Sequence, residues 1–253
     1  MIAEYEVIEV HTNGVEEIDN RPPPRPRAHP QLWQAYLLWD ELMKMRQRHT
    51  LRISAAERGK SQMDAGLERT FMEQLDLDGN LLTVRKMMIA YGKTTGAIWE
   101  WTTSIKGLGA GGEAAKLLAQ IDDIARFDTV SKLWRFAGYA VMEGKAEKNK
   151  PGEKSHFNRK LKAICFVIAD QFIKQQTPGY VDIYYAEKAR QRALYPEPIK
   201  NGAGKTIYTD AHIHNRAWRK MIKEFLRDLW LAWRKLEGLP ITEPWKPELP
   251  SLP

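Results

Sequence analysis

Cysteine is almost missing from this chain: Cys165 is the only one in 253 residues. No disulfide can close within the chain, and the composition suits a reducing compartment. Long apolar runs are missing as well. No stretch reaches the ~20 residues that a bilayer core demands, so a soluble protein, cytoplasmic or nucleoid-associated, is expected. The opening MIAEYEVIEV carries early acids and no basic region ahead of an apolar core, so no secretory signal is expected. No period of 20 to 50 residues recurs, which argues against a solenoid.

What the chain does have is positive charge and tryptophan. The formal net charge is +7 and the sequence pI about 9.3. That balance favours polyanionic partners without naming one. Hydrophobic residues make up 43% and charged residues 28%, enough apolar material for a sizeable core. Nine tryptophans are many for this length. Most fall in helical patterns and read as core; a stacking platform for bases is the alternative.

Punctuation divides the chain into four parts. Residues 1–30 form an arm, expected to start as a short strand or an extended segment at 2–10. Its tract Arg21 to Pro30, RPPPRPRAHP, cannot sustain an ordinary helix and reads as an extended basic linker. Residues 31–94 read as a long helical hairpin or coiled coil, a region for homo-oligomerisation. Leu32, Ala35, Tyr36, Trp39, Leu42, Met43 and Met45 recur at helical spacing from about Gln31. After a break near Gly59, Leu67, Phe71 and Leu75 mark a second helix over 64–77. Gly79 and Asn80 break the chain again before a third helix through Leu81, Val84, Met87, Met88 and Tyr91. Residues 95–237 form a helical core, and 238–253 a proline-rich tail.

Within that core, Ser155 reads as the N-cap of a helix carrying Phe157, Leu161, Ile164, Cys165, Ile168 and Phe172. The last helix is expected from about Asn215, with Trp218, Met221, Ile222, Phe225, Leu226, Leu229, Trp230 and Trp233 as its buried stripe. The fold expected is therefore all-α.

The segment IKGLGAGGEAAKLLAQI, Ile105 to Ile121, joins a glycine turn to an alanine- and leucine-rich helix. Gly107 and Gly109 permit a tight turn and close backbone approach. The amides from Leu108 through Gly111 then suit a phosphate at a helix N-terminus, with Lys106 adding a charge-assisted contact. A packing corner between two helices uses the same glycines without a ligand. Basic residues recur on two later helices: Arg159, Lys160 and Lys162, then Arg216, Arg219, Lys220, Lys223 and Arg227. They suit a phosphate backbone, or solvate two helices with buried stripes.

Residues 97–142 resemble the helix-hairpin-helix part of the C-terminal transposase domain of the IS110/IS116/IS902 family. Lys106-Gly107-Leu108-Gly109 looks like its hairpin core, and Leu117-Leu118-Ala119-Gln120-Ile121 like the helix that follows. Asp128 and Leu133-Trp134-Arg135-Phe136-Ala137-Gly138-Tyr139 resemble the next stretch. His212-Ile213-His214-Asn215-Arg216-Ala217-Trp218, leading to Phe225-Leu226 and Leu229-Trp230, is also similar. Together these pieces span about 95–237. GLGAGGEAA carries one residue more than the family's usual spacing, which Gly111 and Gly112 can absorb.

The resemblance implies double-stranded DNA as partner, with structured RNA as the alternative. It also implies a chemistry that this chain does not carry. The family's acidic nuclease-like domain has no room before residue 97. Asp40, Glu41, Glu57 and Asp64 do not compose a strand-borne metal site, and Glu68, Glu73, Asp76 and Asp78 read as a solvated face. The family's serine nucleophile, expected shortly after the tract matching Ala137-Gly138-Tyr139, has no counterpart in Ala140-Val141-Met142-Glu143-Gly144-Lys145-Ala146. Asp210, His212 and His214 lack a fourth local ligand for zinc. The expectation is a non-catalytic DNA-binding protein with no cofactor or metal and no membrane partner, binding through Lys106 to Gly109, Gly111 and the basic helices. An accessory recombinase subunit and a protein-assembly module are the alternatives.

Overall fold

A computed structural model describes residues 26–142, 145–146, 152, 155–200, 202, 204 and 206–242. The strand or extended segment expected at 2–10, most of the Arg/Pro tract and the end of the tail lie outside the described residues.

The fold is predominantly helical. α1 is Pro30–Glu57, α2 Ala65–Gln74, α3 Leu77–Lys93, α4 Ala97–Ser104 and α5 Gly112–Ile121. After a 3-10 turn at Ile124–Arg126 come α6 Val130–Phe136, α7 Arg159–Lys174, α8 Tyr180–Leu194 and α9 Asp210–Leu236. Two antiparallel ladders of two residues per strand stand between α6 and α7 and between α8 and α9. β1 Val141–Met142 pairs β2 Lys145–Ala146, and β3 Ile199–Lys200 pairs β4 Thr206–Ile207.

The 3.6-residue stripe on α9 is buried along its length, from Ile213 to Trp233. Trp230 and Trp233 are each 1% exposed, so the longest apolar face of the chain is the floor of the core. α7 covers it with Leu161, Cys165, Ile168 and Phe172, and α5 adds Leu117, Leu118 and Ile121. Each such side chain contributes about 1.5–3 kcal/mol on burial. Leu32, Ala35 and Tyr36 of α1 and Val84 and Met88 of α3 belong to the same core as the 95–237 segment. α1 and α3 are thus built into the body through these residues. Asp122 closes α5 in a left-handed conformation (φ 67). It anchors the incoming arm, accepting the His29 amide at 3.3 Å and pairing with Arg27 at 3.6 Å.

Three boundaries differ from the sequence reading. Ser155 does not cap α7; Asn158 does, its Oδ1 accepting from the Lys160 and Leu161 amides at 3.0 Å each. Ser155 Oγ donates to the Phe157 carbonyl instead. α3 runs through Gly79 and Asn80 without a break, because Asp76 caps it by accepting the Gly79 amide at 3.2 Å. α9 starts at Asp210, ahead of Asn215, because Thr209 caps it through the His212 amide.

Candidate nucleic-acid interface

The glycine turn between α4 and α5 is a packed corner first. The Leu108 amide donates to the Ile105 carbonyl and the Gly111 amide to the Leu108 carbonyl, each at 2.9 Å. Two of the amides expected to face a phosphate are therefore taken within the turn. Leu108 itself is 1% exposed. Gly111, at φ 76, is buried: an added Cβ would stand 3.1 Å from Trp99 and 3.3 Å from Ile89. Arg85 of α3 reaches the Ala110 carbonyl at 3.3 Å, and Thr177 Oγ1 donates to the Lys106 carbonyl at 2.9 Å. Glu113 puts a carboxylate in the first turn of α5, paired with Lys116 at 2.7 Å, where an incoming phosphate would meet like charge. The side chain of Lys106 is exposed, as are Gly109 and Ala110.

The basic residues of α7 and α9 fall into two groups by where they sit. Lys160 is drawn back to Asp40 of α1 and lies 5.7 Å from the Tyr36 ring. Hydrogen bonds from Lys160 and Lys44 hold the Asp40 carboxyl below the usual carboxylate range, outweighing the burial that alone would raise it. Arg227 pairs with Glu224, and with Asp228 at 3.0 Å. Arg216 donates to Gln191 Oε1 at 2.8 Å and lies 5.0 Å from the Tyr208 ring. It locks the α8–α9 hairpin where Tyr195 and Tyr208 stack at 3.5 Å.

A second group of cations gathers where α6, α7 and α9 meet, on aromatic supports. The Lys223 ammonium lies 4.0 Å from the centroid of Trp134, whose indole N–H donates to the Lys223 carbonyl at 3.0 Å. Arg219 lies 5.5 Å from the Tyr139 ring and donates to the Tyr139 carbonyl at 3.3 Å. Lys162 lies 4.2 Å from the Phe157 ring, and its carbonyl accepts from the Tyr139 hydroxyl at 3.4 Å. Gly138 makes this possible: at φ 75, its Cβ would stand 2.6 Å from Phe157 and 3.1 Å from the Lys162 stem. Arg159 is exposed one turn before Lys162 on α7.

Lys220 pairs with Glu224 at 2.9 Å, and Arg227 shares that same carboxylate. Burial, then the neighbouring Lys220 and Arg219, hold the Lys223 ammonium below its ordinary value, against an opposing pull from Glu224. Burial also lowers Arg219, which stays charged at any working pH.

Lys106 does not share this corner. Gly107 packs on Phe172, at the far end of α7, where an added Cβ would meet the ring at 3.5 Å. The helical rise puts ~20 Å along α7 between Arg159 and Phe172. The histidines are engaged as well. His214 Nδ1 shares a hydrogen bond with the Tyr184 hydroxyl at 2.8 Å, His212 Nδ1 lies 3.2 Å from Thr209 Oγ1, and Asp210 pairs with Arg192. Among the described residues, no three of His, Cys, Asp and Glu gather as a metal-holding group, and no helix is long and apolar enough to cross a membrane. Cys165 is fully buried, and burial pushes its thiol well above the ordinary value.

The aromatic seats under Lys223, Arg219 and Lys162 were missed in the sequence, although Trp134 and Tyr139 lay in a quoted tract. No family model matches the chain, and neither a curated protein nor a solved structure matches it.

Proposed function

We propose that the protein is a non-catalytic double-stranded DNA-binding protein, related over residues 95–237 to the C-terminal domain of IS110/IS116/IS902 transposases, that bridges DNA or regulates a mobile element. The observation that carries this reading is the corner of α6, α7 and α9. Beyond its burial, Lys223 is held below its ordinary value by the neighbouring Lys220 and Arg219, and Glu224 is a carboxylate that Lys220 shares with Arg227. A protein gains nothing in stability from such crowding; a phosphate backbone relieves it. Lys162 and Arg159 extend the cluster along α7. Lys106, Gly109 and Ala110, at the turn read as a helix-hairpin-helix, form a second and smaller contact. Residues 31–94 carry a homo-oligomer interface: Leu67 and Phe71 of α2 and Leu75 just after it turn outward, and Glu68 is buried against His49.

The test is a competition series with purified protein, labelled duplex DNA and structured RNA of equal length, at rising salt, with and without magnesium. Duplex binding that weakens steeply with salt, without cleavage, is the expected result. RNA displacing the duplex at equal concentration moves the reading to RNA. No binding of either at ~50 mM salt removes the nucleic-acid reading and leaves protein assembly.

A further inference from the structure

α7 buries one face, and Phe166 is not on it. Leu161, Ile164, Cys165, Ile168 and Phe172 turn inward. Phe166 lies about 140° round the helix from Leu161 and is 57% exposed, with Val167 beside it at 39%. At that angle Phe166 shares a face with Lys162, one turn earlier, and Arg159, two turns earlier.

Its neighbours are aromatic. The Phe166 ring lies 5.1 Å from Trp218, and Trp218 lies 5.9 Å from Tyr139. Trp218 is 8% exposed and Tyr139 fully buried, so Phe166 is the open end of a buried aromatic row. Arg219 follows Trp218 in α9 and lies by Tyr139 at the other end of that row. The carboxylate one turn further along α7, Asp170, is paired with Lys174 at 2.6 Å. The exposed ring is thus bordered by cations on the side that faces the proposed phosphate site.

A ring with an open face beside a cationic track is the arrangement that holds unpaired nucleotides: cations take the backbone and the ring takes a base. An intact duplex keeps its bases stacked inside and offers such a ring little except at its ends. We infer that the corner selects DNA carrying unpaired bases, as at a gap, an overhang or a junction, with Phe166 stacking on one exposed base. This rests on the nucleic-acid reading of the same corner.

The test compares a blunt duplex with the same duplex carrying a short single-stranded gap that contains 2-aminopurine. The gapped DNA should bind roughly ten-fold tighter, with the 2-aminopurine fluorescence quenched on binding. Phe166→Ala should erase the advantage and the quenching while leaving blunt-duplex affinity in place, and Phe166→Tyr should restore both. Helicity and melting of each variant check that it is folded. Equal wild-type affinity for gapped and blunt DNA overturns the inference. So does a Phe166→Ala variant that weakens both DNAs alike, or one that leaves binding intact and breaks an oligomer. If neither DNA binds, the phosphate site itself is wrong and the stacking role falls with it.

Discussion

Replacing Lys223 by methionine keeps the stem over Trp134 and deletes the ammonium, and two effects of opposite sign follow. In the folded protein, burial and the charges of Lys220 and Arg219 hold Lys223 below its ordinary value of 10.5. A base lowered on folding costs stability while protonated in both states. The cost is full below the folded value and is relieved as pH rises from there toward 10.5. Lys223→Met should therefore melt higher than wild type at neutral pH and lose that alkaline gain. On DNA, one phosphate contact disappears. Counterion release makes each contact worth a slope of about 0.9 in log affinity against log salt, or about five-fold in affinity near 0.15 M. Counting Arg159, Lys162, Arg219, Lys220 and Lys223 as contacts gives a wild-type slope of about −4.5, falling to about −3.6 in the variant. Anisotropy of a labelled duplex between roughly 50 and 200 mM salt, alongside thermal melting, reads both effects. An unchanged slope, or a variant that melts lower, refutes the account of Lys223.

Other perturbations probe the scaffold. Gly138→Ala places a Cβ 2.6 Å from Phe157 at φ 75 and should cost about 1–3 kcal/mol in urea unfolding; a neutral result means that the α6–α7 joint is looser than described. Asp40→Asn removes the partner of Lys160 and should cost about 1 kcal/mol at neutral pH. Because the folded Asp40 carboxyl lies below 3.8, its contribution is present above that value and fades as pH falls through the folded one. Melting curves of wild type and variant should converge in acid, and a constant gap refutes the ion pair. Cys165 should resist thiol reagents until the protein unfolds; fast labelling under native conditions contradicts its burial.

The helices were largely legible because apolar stripes of period 3.6 are local information. α9 and α7 follow their predicted stripes, and α1 its first half. Caps were harder, since Ser155 and Asn158 are both good capping residues three apart and only the path of the chain chooses between them. The basic residues were the least legible. Lys160 is neutralised by Asp40, 120 residues away, and no local pattern announces that pair. Glu224 lies four residues from Lys220 and three from Arg227, a spacing that does signal their pairing. Phe166 was visible as an aromatic outside the α7 stripe, four residues after Lys162, but its exposure beside Trp218 depends on how α7 packs against α9.

The most direct measurement is a lysine acetylation footprint, read by mass spectrometry with and without bound duplex DNA at low salt. The account predicts that Lys162, Lys220 and Lys223 become protected, that Lys106 changes less, and that Lys174 at the opposite end of α7 does not change. Protection of Lys106 alone would return the DNA to the glycine turn, and no protection at any of these lysines would contradict binding at the α6–α7–α9 corner.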